Sequence, residues 1–319
     1  MTLFFVHIPK TAGTSFRLAA SDYFGASAVT YDYGANQRET APSVRDCVYG
    51  DTPDWWRLKR TLEASGQSLL GGHVPVDKYV SLLGVANTLT FLRDPLQRIV
   101  SDYEHFRRHH GYTGCFDTFY RHPTMQNRMQ KMLQGVPIEA IGCIGMTEAY
   151  EESLGMLNTQ YGISIGVKTE NQGKTSLDDE HRLSDADREA LTRLNQKDIA
   201  LYRRCKALFE TRQALMAKGQ RYAHAAVIEA SPRRISGWAW WSGDDPDPVT
   251  VEILVNGERV DEVTACDLRP NLCRFRPPRG GYVGFRRYGH FKPGDQVQCR
   301  VASTGQCFPP SPRPVKEAQ

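Results

Sequence analysis

The sequence predicts an α/β fold, a P-loop-like parallel sheet flanked by helices, followed by a small sandwich-like all-β domain. Three observations carry this. Short apolar runs that stop abruptly at polar or glycine-containing turns alternate with helical patterns along the first part of the chain, which is the rhythm of a parallel sheet. A long helical stretch closes that region at Gly219. Beyond it, short β-type runs separated by turns take over, the mark of an all-β module. At 319 residues the chain exceeds the usual size of one domain. The expected division is 1–222 for the α/β domain, 223–310 for the β domain and 311–319 for a flexible tail.

The first run, Leu3, Phe4, Phe5 and Val6, is continuously apolar with aromatic and β-branched residues, as a strand buried on both faces requires. Pro9 ends its ladder, because proline donates no backbone hydrogen bond. Gly13 permits close approach of a ligand, and Thr14 or Ser15 is expected to cap the helix that Phe16, Leu18 and Ala19 open. Strand, turn and helix N-terminus together make an anion site: free N–H groups and the positive end of the helix dipole meet there, and Lys10 adds a full charge. An ordinary strand-to-helix connection with a surface lysine is the plainer alternative at this point.

Residues 31–53 are polar and turn-rich and are expected to run over the surface. LLGGHV at 69–74 is expected to be a short buried strand that exposes His73 at its end. ANTLTFLRDP at 86–95 repeats the design of apolar run, charged pair and proline. Pro95 suits the first turn of a helix continuing through Ile99, Val100, Tyr103 and Phe106. AIGCIGMTE at 140–148 gives a fourth strand, followed by the helix EESLGMLNTQY. From Ser184 to Lys218 the pattern is helical, with Ser184-x-x-Asp187 as its N-cap and Leu191, Leu194, Ile199, Tyr202, Leu208 and Phe209 on or near one face. In the β region the runs are ISGWAWW, TVEILVNGERVDEV, YVGFRRYGHF and QVQCRVAS, with Asn256-Gly257 as a strong hairpin signal.

Composition narrows the function classes. Hydrophobic residues at 40% and charged residues at 24% indicate a soluble globular protein rather than a disordered one. The net charge of +4 fits small anionic ligands and gives no case for nucleic acid. The apolar start is too short for a membrane span and lacks the leader and cleavage pattern of a signal peptide. The expectation is therefore a cytoplasmic protein without an integral membrane segment. Eight cysteines are scattered without C-x-x-C or finger spacing. They are expected to be mostly reduced, with a disulfide among Cys266, Cys273, Cys299 and Cys307 left open.

The second decisive stretch is FLRDPLQRIVSDY at 91–103. Arg93 leaves a strand end and Ser101 lies inside the helix begun by Pro95, so a guanidinium fork and a rotatable hydroxyl can meet one phosphate. Together, HIPKTAGTS at 7–15 and RDPLQRIVSDY at 93–103 closely resemble the donor-binding segments of sulfotransferases that use 3′-phosphoadenosine 5′-phosphosulfate (PAPS), especially the carbohydrate branch that includes heparan sulfate 2-O-sulfotransferase. GGHVP at 71–75, QNRMQKMLQG at 126–135, GMTEAYEESLGML at 145–157 and LNQKDIALYRRCKALF at 194–209 are similar to later landmarks of that family, so the resemblance spans most of residues 1–215.

The resemblance implies that Lys10, Thr11, Ala12, Gly13, Thr14 and Ser15 cradle the 5′-phosphosulfate, while Arg93 and Ser101 hold the 3′-phosphate. PAPS would be the sulfuryl donor and PAP (adenosine 3′,5′-bisphosphate) the product, with no metal expected. The acceptor would be a small molecule or glycan with a free hydroxyl. Sulfuryl transfer resembles loose phosphoryl transfer, in which placement and charge dominate, and Lys10 would neutralise the departing oxygen. His73 is the candidate base, since histidine titrates near neutrality; a backbone-bonded structural histidine is the bland alternative. The family carries a His-x-His pair in this stretch, and here Gly71 stands at its first position. His7 is expected to be structural, and His105, His109 and His110 with Arg107 and Arg108 to form a solvated face. Asn127 and Glu148 match family landmarks and are expected to brace the site wall. Lys168 and Lys174 flank TENQG, expected to be a solvated loop.

ISGWAWW, VNGERV, ACDLRPNL and YVGF resemble a small accessory domain attached to bacterial glycan-modifying transferases. Trp238, Trp240 and Trp241 could present a sugar-stacking platform, though core packing is the commoner use. Two rivals stand beside the sulfotransferase reading. A nucleotide-dependent kinase is disfavoured because G-x-x-x-x-G-K-[ST] and a magnesium carboxylate are missing. A non-catalytic glycan-binding protein is disfavoured by the intact Lys10, Arg93, Ser101 and His73.

Overall fold

The computed structural model describes residues 1–168, 183–243 and 245–316. Contacts divide the chain into two compact units, one drawn from residues 1–83, 87–136 and 143–209, the other from 84–86, 137–142 and 210 onward. The first unit runs β1 (Leu3–Val6), α1 (Gly13–Phe24), β2 (Val29–Asp32), α2 (Pro42–Val48), α3 (Trp55–Ala64), β3 (Leu69–Gly72), α4 (Asp77–Leu83), β4 (Thr88–Leu92), α5 (Pro95–His109), α6 (Phe116–Arg121), α7 (Arg128–Leu133), β5 (Cys143–Met146), α8 (Tyr150–Tyr161), α9 (Asp185–Leu194) and the start of α10 (Gln196–Ala217). Among the described residues, no helix is long and apolar enough to cross a membrane.

The five strands form one sheet in the order β2-β3-β1-β4-β5, every neighbouring pair parallel. All four residues of β1 are buried, as its continuous apolarity demands. On one face Phe5, Leu69, Leu89 and Phe91 pack with Phe16 of α1 and Leu154 and Leu157 of α8, with the Phe5 and Phe16 rings 4.7 Å apart. The chain passes from β3 on one side of β1 to β4 on the other, and such a switch opens a crevice at the carboxyl ends of the strands. The sheet is tight at Gly72, where an added Cβ would lie 1.7 Å from the Asp32 carbonyl oxygen on the neighbouring strand. Backbone cannot swing aside, so Gly72→Ala is expected to cost about 3 kcal/mol or more; a denaturant midpoint equal to that of the parent would contradict this contact.

The 31–53 segment runs over the surface only in part: residues 35–39 and 49–53 are exposed as expected, whereas Asp32, Thr40, Val44, Cys47 and Val48 are buried. Asp32 is fully buried, and its carboxylate accepts from Gly34 N, Tyr49 Oη, Lys78 Nζ and Tyr79 Oη at 2.6–3.0 Å. These bonds hold the carboxyl below its ordinary pKa against the opposing effect of burial and pull the following segment, including α2, onto the end of β2. The expected helix over 184–218 is likewise two helices. Ser184 caps α9, accepting from Asp187 N, and Gly219 lies just past α10 at φ 64°, both as expected. The break falls at Asn195 because polar partners distant in sequence meet there: Asn127 Oδ1 accepts from Lys197 N and Asp198 N, and Asp198 accepts from Met129 N and Gln130 N. Two helix starts thus cap each other.

The second unit holds the end of α10, then β6 (Ala223–Ala230), β7 (Arg234–Trp241), β8 (Thr250–Val255), β9 (Glu258–Thr264), β10 (Asp267–Leu268), α11 (Pro270–Cys273), β11 (Tyr282–Tyr288), β12 (Gln296–Val301) and β13 (Arg313–Pro314). Two antiparallel sheets, β10-β11-β7-β6 and β13-β12-β8-β9, share one core that includes Val227, Ile235, Trp241, Val251, Ile253, Phe285, Val297 and Phe308. Asn256 and Gly257 take φ 53° and 87°, as a two-residue hairpin turn requires. The 311–319 tail is not loose through 316: Arg313 and Pro314 pair with β12, and Val315 is buried in the core with its N–H on the Asp295 carbonyl. Trp238, Trp240 and Trp241 are 1–4% exposed, so they form no sugar platform. All eight cysteines are free.

His224 is buried in this unit, its Nδ1 2.9 Å from the Glu139 carbonyl. Burial, with a smaller contribution from Arg212, lowers its pKa to about 3. An unfolded histidine titrates near 6.5, so below that pH the unfolded chain binds the proton first and stability falls progressively toward pH 3. Thermal unfolding from pH 7 to 4 should show this loss, and His224→Asn, which keeps a donor for the carbonyl, should flatten it. An unchanged slope would remove His224 as a source.

Candidate functional site

The candidate site grows from the turn after β1. Lys10 and Ala12 have φ 69° and 63°, two non-glycine residues in the left-handed region within three positions. Such residues curl successive N–H groups around a concavity suited to an anion, and strain of this kind gathers at binding sites. Helix α1 begins at Gly13, and Ala12 stands at its N-cap without a side-chain hydrogen bond. This corrects the capping expectation: Thr14 and Ser15 lie inside the first turn because the left-handed Ala12 starts the helix before them. The buried Thr11 donates its hydroxyl to the Ile8 carbonyl at 2.9 Å, which ties the turn together. Thr14 is exposed and Ser15 half-buried.

Gly13 is dictated by its neighbour. A Cβ there would fall 2.0 Å from Cδ2 and 2.1 Å from Nε2 of His7. His7 stacks on Phe5 at 5.3 Å and its Nδ1 lies 3.0 Å from Tyr33 Oη. Its ring meets that of His73 edge to face at 4.3 Å, and Tyr33 packs on His73 at 4.8 Å. His7 is therefore part of the site wall rather than a remote strand end. Burial first, then the neighbouring His73, Arg17 and Lys10, lower its pKa well below the ordinary value.

His73 follows β3 and is exposed, though protein surrounds it closely enough to weaken its hydration. That desolvation, followed by Arg128 and Arg17 against an opposing Asp102, lowers its pKa to about 4. It is a neutral imidazole at physiological pH, free to accept a proton.

Arg93 and Asp94 leave β4. The Asp94 carboxylate accepts from Leu96 N and Gln97 N at 3.0 Å and caps α5, while Asp94 N donates to Glu148 Oε1 at 2.7 Å. Glu148 thus braces the loop that carries Arg93, and Asn127 braces α10 from below α7. Burial lowers the Arg93 pKa while Glu148 and Asp94 oppose it. Burial is also the main cause that lowers Lys10; Asp102 and Glu104 oppose, and Arg93 and Arg108 add to the lowering. Lys10 and Arg93 therefore share one electrostatic neighbourhood. Ser101 is half-buried on α5, one turn before His105 on the same helical face, and His105 feels the Lys10 charge. Arg107, Arg108 and His109 at the end of α5, and His110 just past it, are exposed. Lys168 pairs with Asp22, and Lys174 lies outside the described residues.

Four residues join the site without having been singled out: Arg17, Tyr33, Asp102 and Arg128. Asp102 is buried and holds both Arg98 and Arg128 at 3.2 Å; Arg98, fully buried, also donates to the Met125 carbonyl at 3.0 Å. An i, i+4 Arg98–Asp102 spacing is visible in the sequence, but Tyr33 and Arg128 carry no local signal. Chemically, the assembled edge offers a turn with two left-handed residues at the start of α1, two cations whose charges burial makes costly, and a neutral imidazole. No family model, no curated protein and no solved structure matches this chain.

Proposed function

We propose that the chain is a cytoplasmic sulfotransferase that moves a sulfuryl group from PAPS to an acceptor hydroxyl on a carbohydrate or glycosylated metabolite. The observation that carries the reading is the meeting, at one edge of the sheet, of the strained Lys10–Ala12 turn, Arg93 and the neutral His73. The donor has two anionic ends; in this reading the turn with the start of α1 takes one, and Arg93 with Ser101 takes the other. The acceptor oxygen attacks sulfur as its proton passes to His73; the bond from sulfur to the 5′-phosphate oxygen breaks, and Lys10 offsets the charge left on that oxygen. The products are the sulfate ester, PAP and a proton released from His73.

The test is nucleotide discrimination. PAP should bind about tenfold to a hundredfold tighter than AMP, since the 3′-phosphate gains charge-assisted hydrogen bonds of its own. Calorimetry that returned equal affinities would end the assignment. Arg93→Ala should lower PAP affinity toward that of AMP while leaving AMP unchanged; equal weakening of both would move Arg93 away from the 3′-phosphate. Transfer of labelled sulfate from PAPS to a panel of glycans and small alcohols then separates an enzyme from a glycan-binding scaffold.

A further inference from the structure

The histidine that follows β1 has a defined chemical direction. Tyr33 Oη lies 3.0 Å from His7 Nδ1, and the Arg17 guanidinium lies beside the same phenol oxygen and favours charge on it. A guanidinium has only donors. Among the described residues the phenol hydrogen meets no acceptor other than His7 Nδ1, so an oxygen that accepts from Arg17 directs its O–H at His7 and Nδ1 accepts. A neutral imidazole whose Nδ1 accepts carries its proton on Nε2. That atom has no hydrogen-bond partner among the described residues, and it lies against Gly13, 2.1 Å from where a Cβ would stand. Stacking on Phe5 and the contact with His73 fix the ring.

We propose that Arg17 and Tyr33 lock His7 in the Nε2–H tautomer, and that His7 thereby supplies a side-chain donor to a phosphate-type anion seated in the 10–13 turn. This rests on the reading of that turn as an anion site and deepens it. His7 is a binding residue placed directly after β1 rather than within the 10–13 turn itself, and Tyr33 is a positioning residue that acts through it. Glycine at 13 follows from the same arrangement, because any larger residue would occupy the space of the imidazole edge.

Two measurements on the full chain test this. Nitrogen NMR of histidine-labelled protein at neutral pH should show His7 protonated at Nε2 alone, and Tyr33→Phe should turn this into a mixture. A parent protein protonated at Nδ1, or a Tyr33→Phe variant identical to it, overturns the proposal. Calorimetry with inorganic pyrophosphate adds a second arm: glutamine places an amide N–H near Nε2, whereas asparagine places one near Nδ1. His7→Gln should keep affinity within about threefold and His7→Asn should lose about tenfold, the worth of one hydrogen bond to a charged group. Equal loss in both, no loss in either, or no pyrophosphate binding by the parent also overturns it. If either variant unfolds early by thermal melting, the tautomer measurement still decides. A parent that meets these expectations but transfers no sulfuryl group refutes the sulfotransferase reading alone.

Discussion

His73→Ala is expected to retain PAP affinity while losing about a hundredfold to ten-thousandfold in transfer rate, the usual worth of a placed general base. The residue stands just after β3 against His7 and Tyr33, and Phe5 and Tyr33 still hold His7 when the His73 ring is removed. The pH profile gives the same residue a signature. Its pKa of about 4 reflects desolvation first and then the charges of Arg128 and Arg17. In the free enzyme the imidazole is lost as a base only when pH falls through about 4, so kcat/KM should hold well below the ordinary histidine midpoint before it declines. A bound polyanion offsets the cations that depress His73, so the acid limb of kcat should lie at higher pH than that of kcat/KM. Coincident limbs near 6.5, the unperturbed histidine value, would mean that His73 is hydrated and unperturbed. A fully active His73→Ala variant would remove it as the base.

Gly13→Val is the second large effect, and it acts on binding. A Cβ at this position meets ring atoms of His7 at 2.0 and 2.1 Å. His7 cannot swing away cheaply, since it is stacked on Phe5, bonded to Tyr33 and packed on His73. The start of α1 must shift instead, and displacement of about 1 Å in a positioned site costs on the order of a hundredfold. PAP affinity should fall by that amount, with the sheet intact by circular dichroism. Undiminished affinity would show that the anion does not use the α1 start.

The parts of the fold that could be read from the sequence are those in which one local pattern decides the outcome. Leu3–Val6, Leu69–Gly72, Thr88–Leu92 and Cys143–Met146 are apolar runs with nowhere to go but a buried sheet, and Pro95, Ser184 and Asn256-Gly257 mark their elements through backbone chemistry alone. The parts that could not be read depend on partners distant in sequence. Residues 31–53 look like a surface loop until Lys78 and Tyr79 arrive to satisfy Asp32. The break at Asn195 exists because Asn127 supplies the cap. The alanine-rich β6 favours a helix by composition, and pairing along β7 overrides it. In the site, Lys10 and Arg93 were marked by their turns, whereas the contact of His7 with His73 and the arrival of Tyr33 follow only from strand order. The cap at Ala12 is invisible in the sequence, because a left-handed alanine has no sequence signature.

The central place of β1 in the sheet also has a consequence in time. Its two neighbours begin at Leu69 and Thr88, so during synthesis the first strand emerges long before either partner exists. LFFV is a short, uncharged segment of aromatic and branched residues, the kind that associates with other chains when left unpaired. Parallel pairing at such separation is slow, because the loop must close before any contact rewards it. Yield of native protein should therefore depend on what shelters β1 until β4 has left the ribosome.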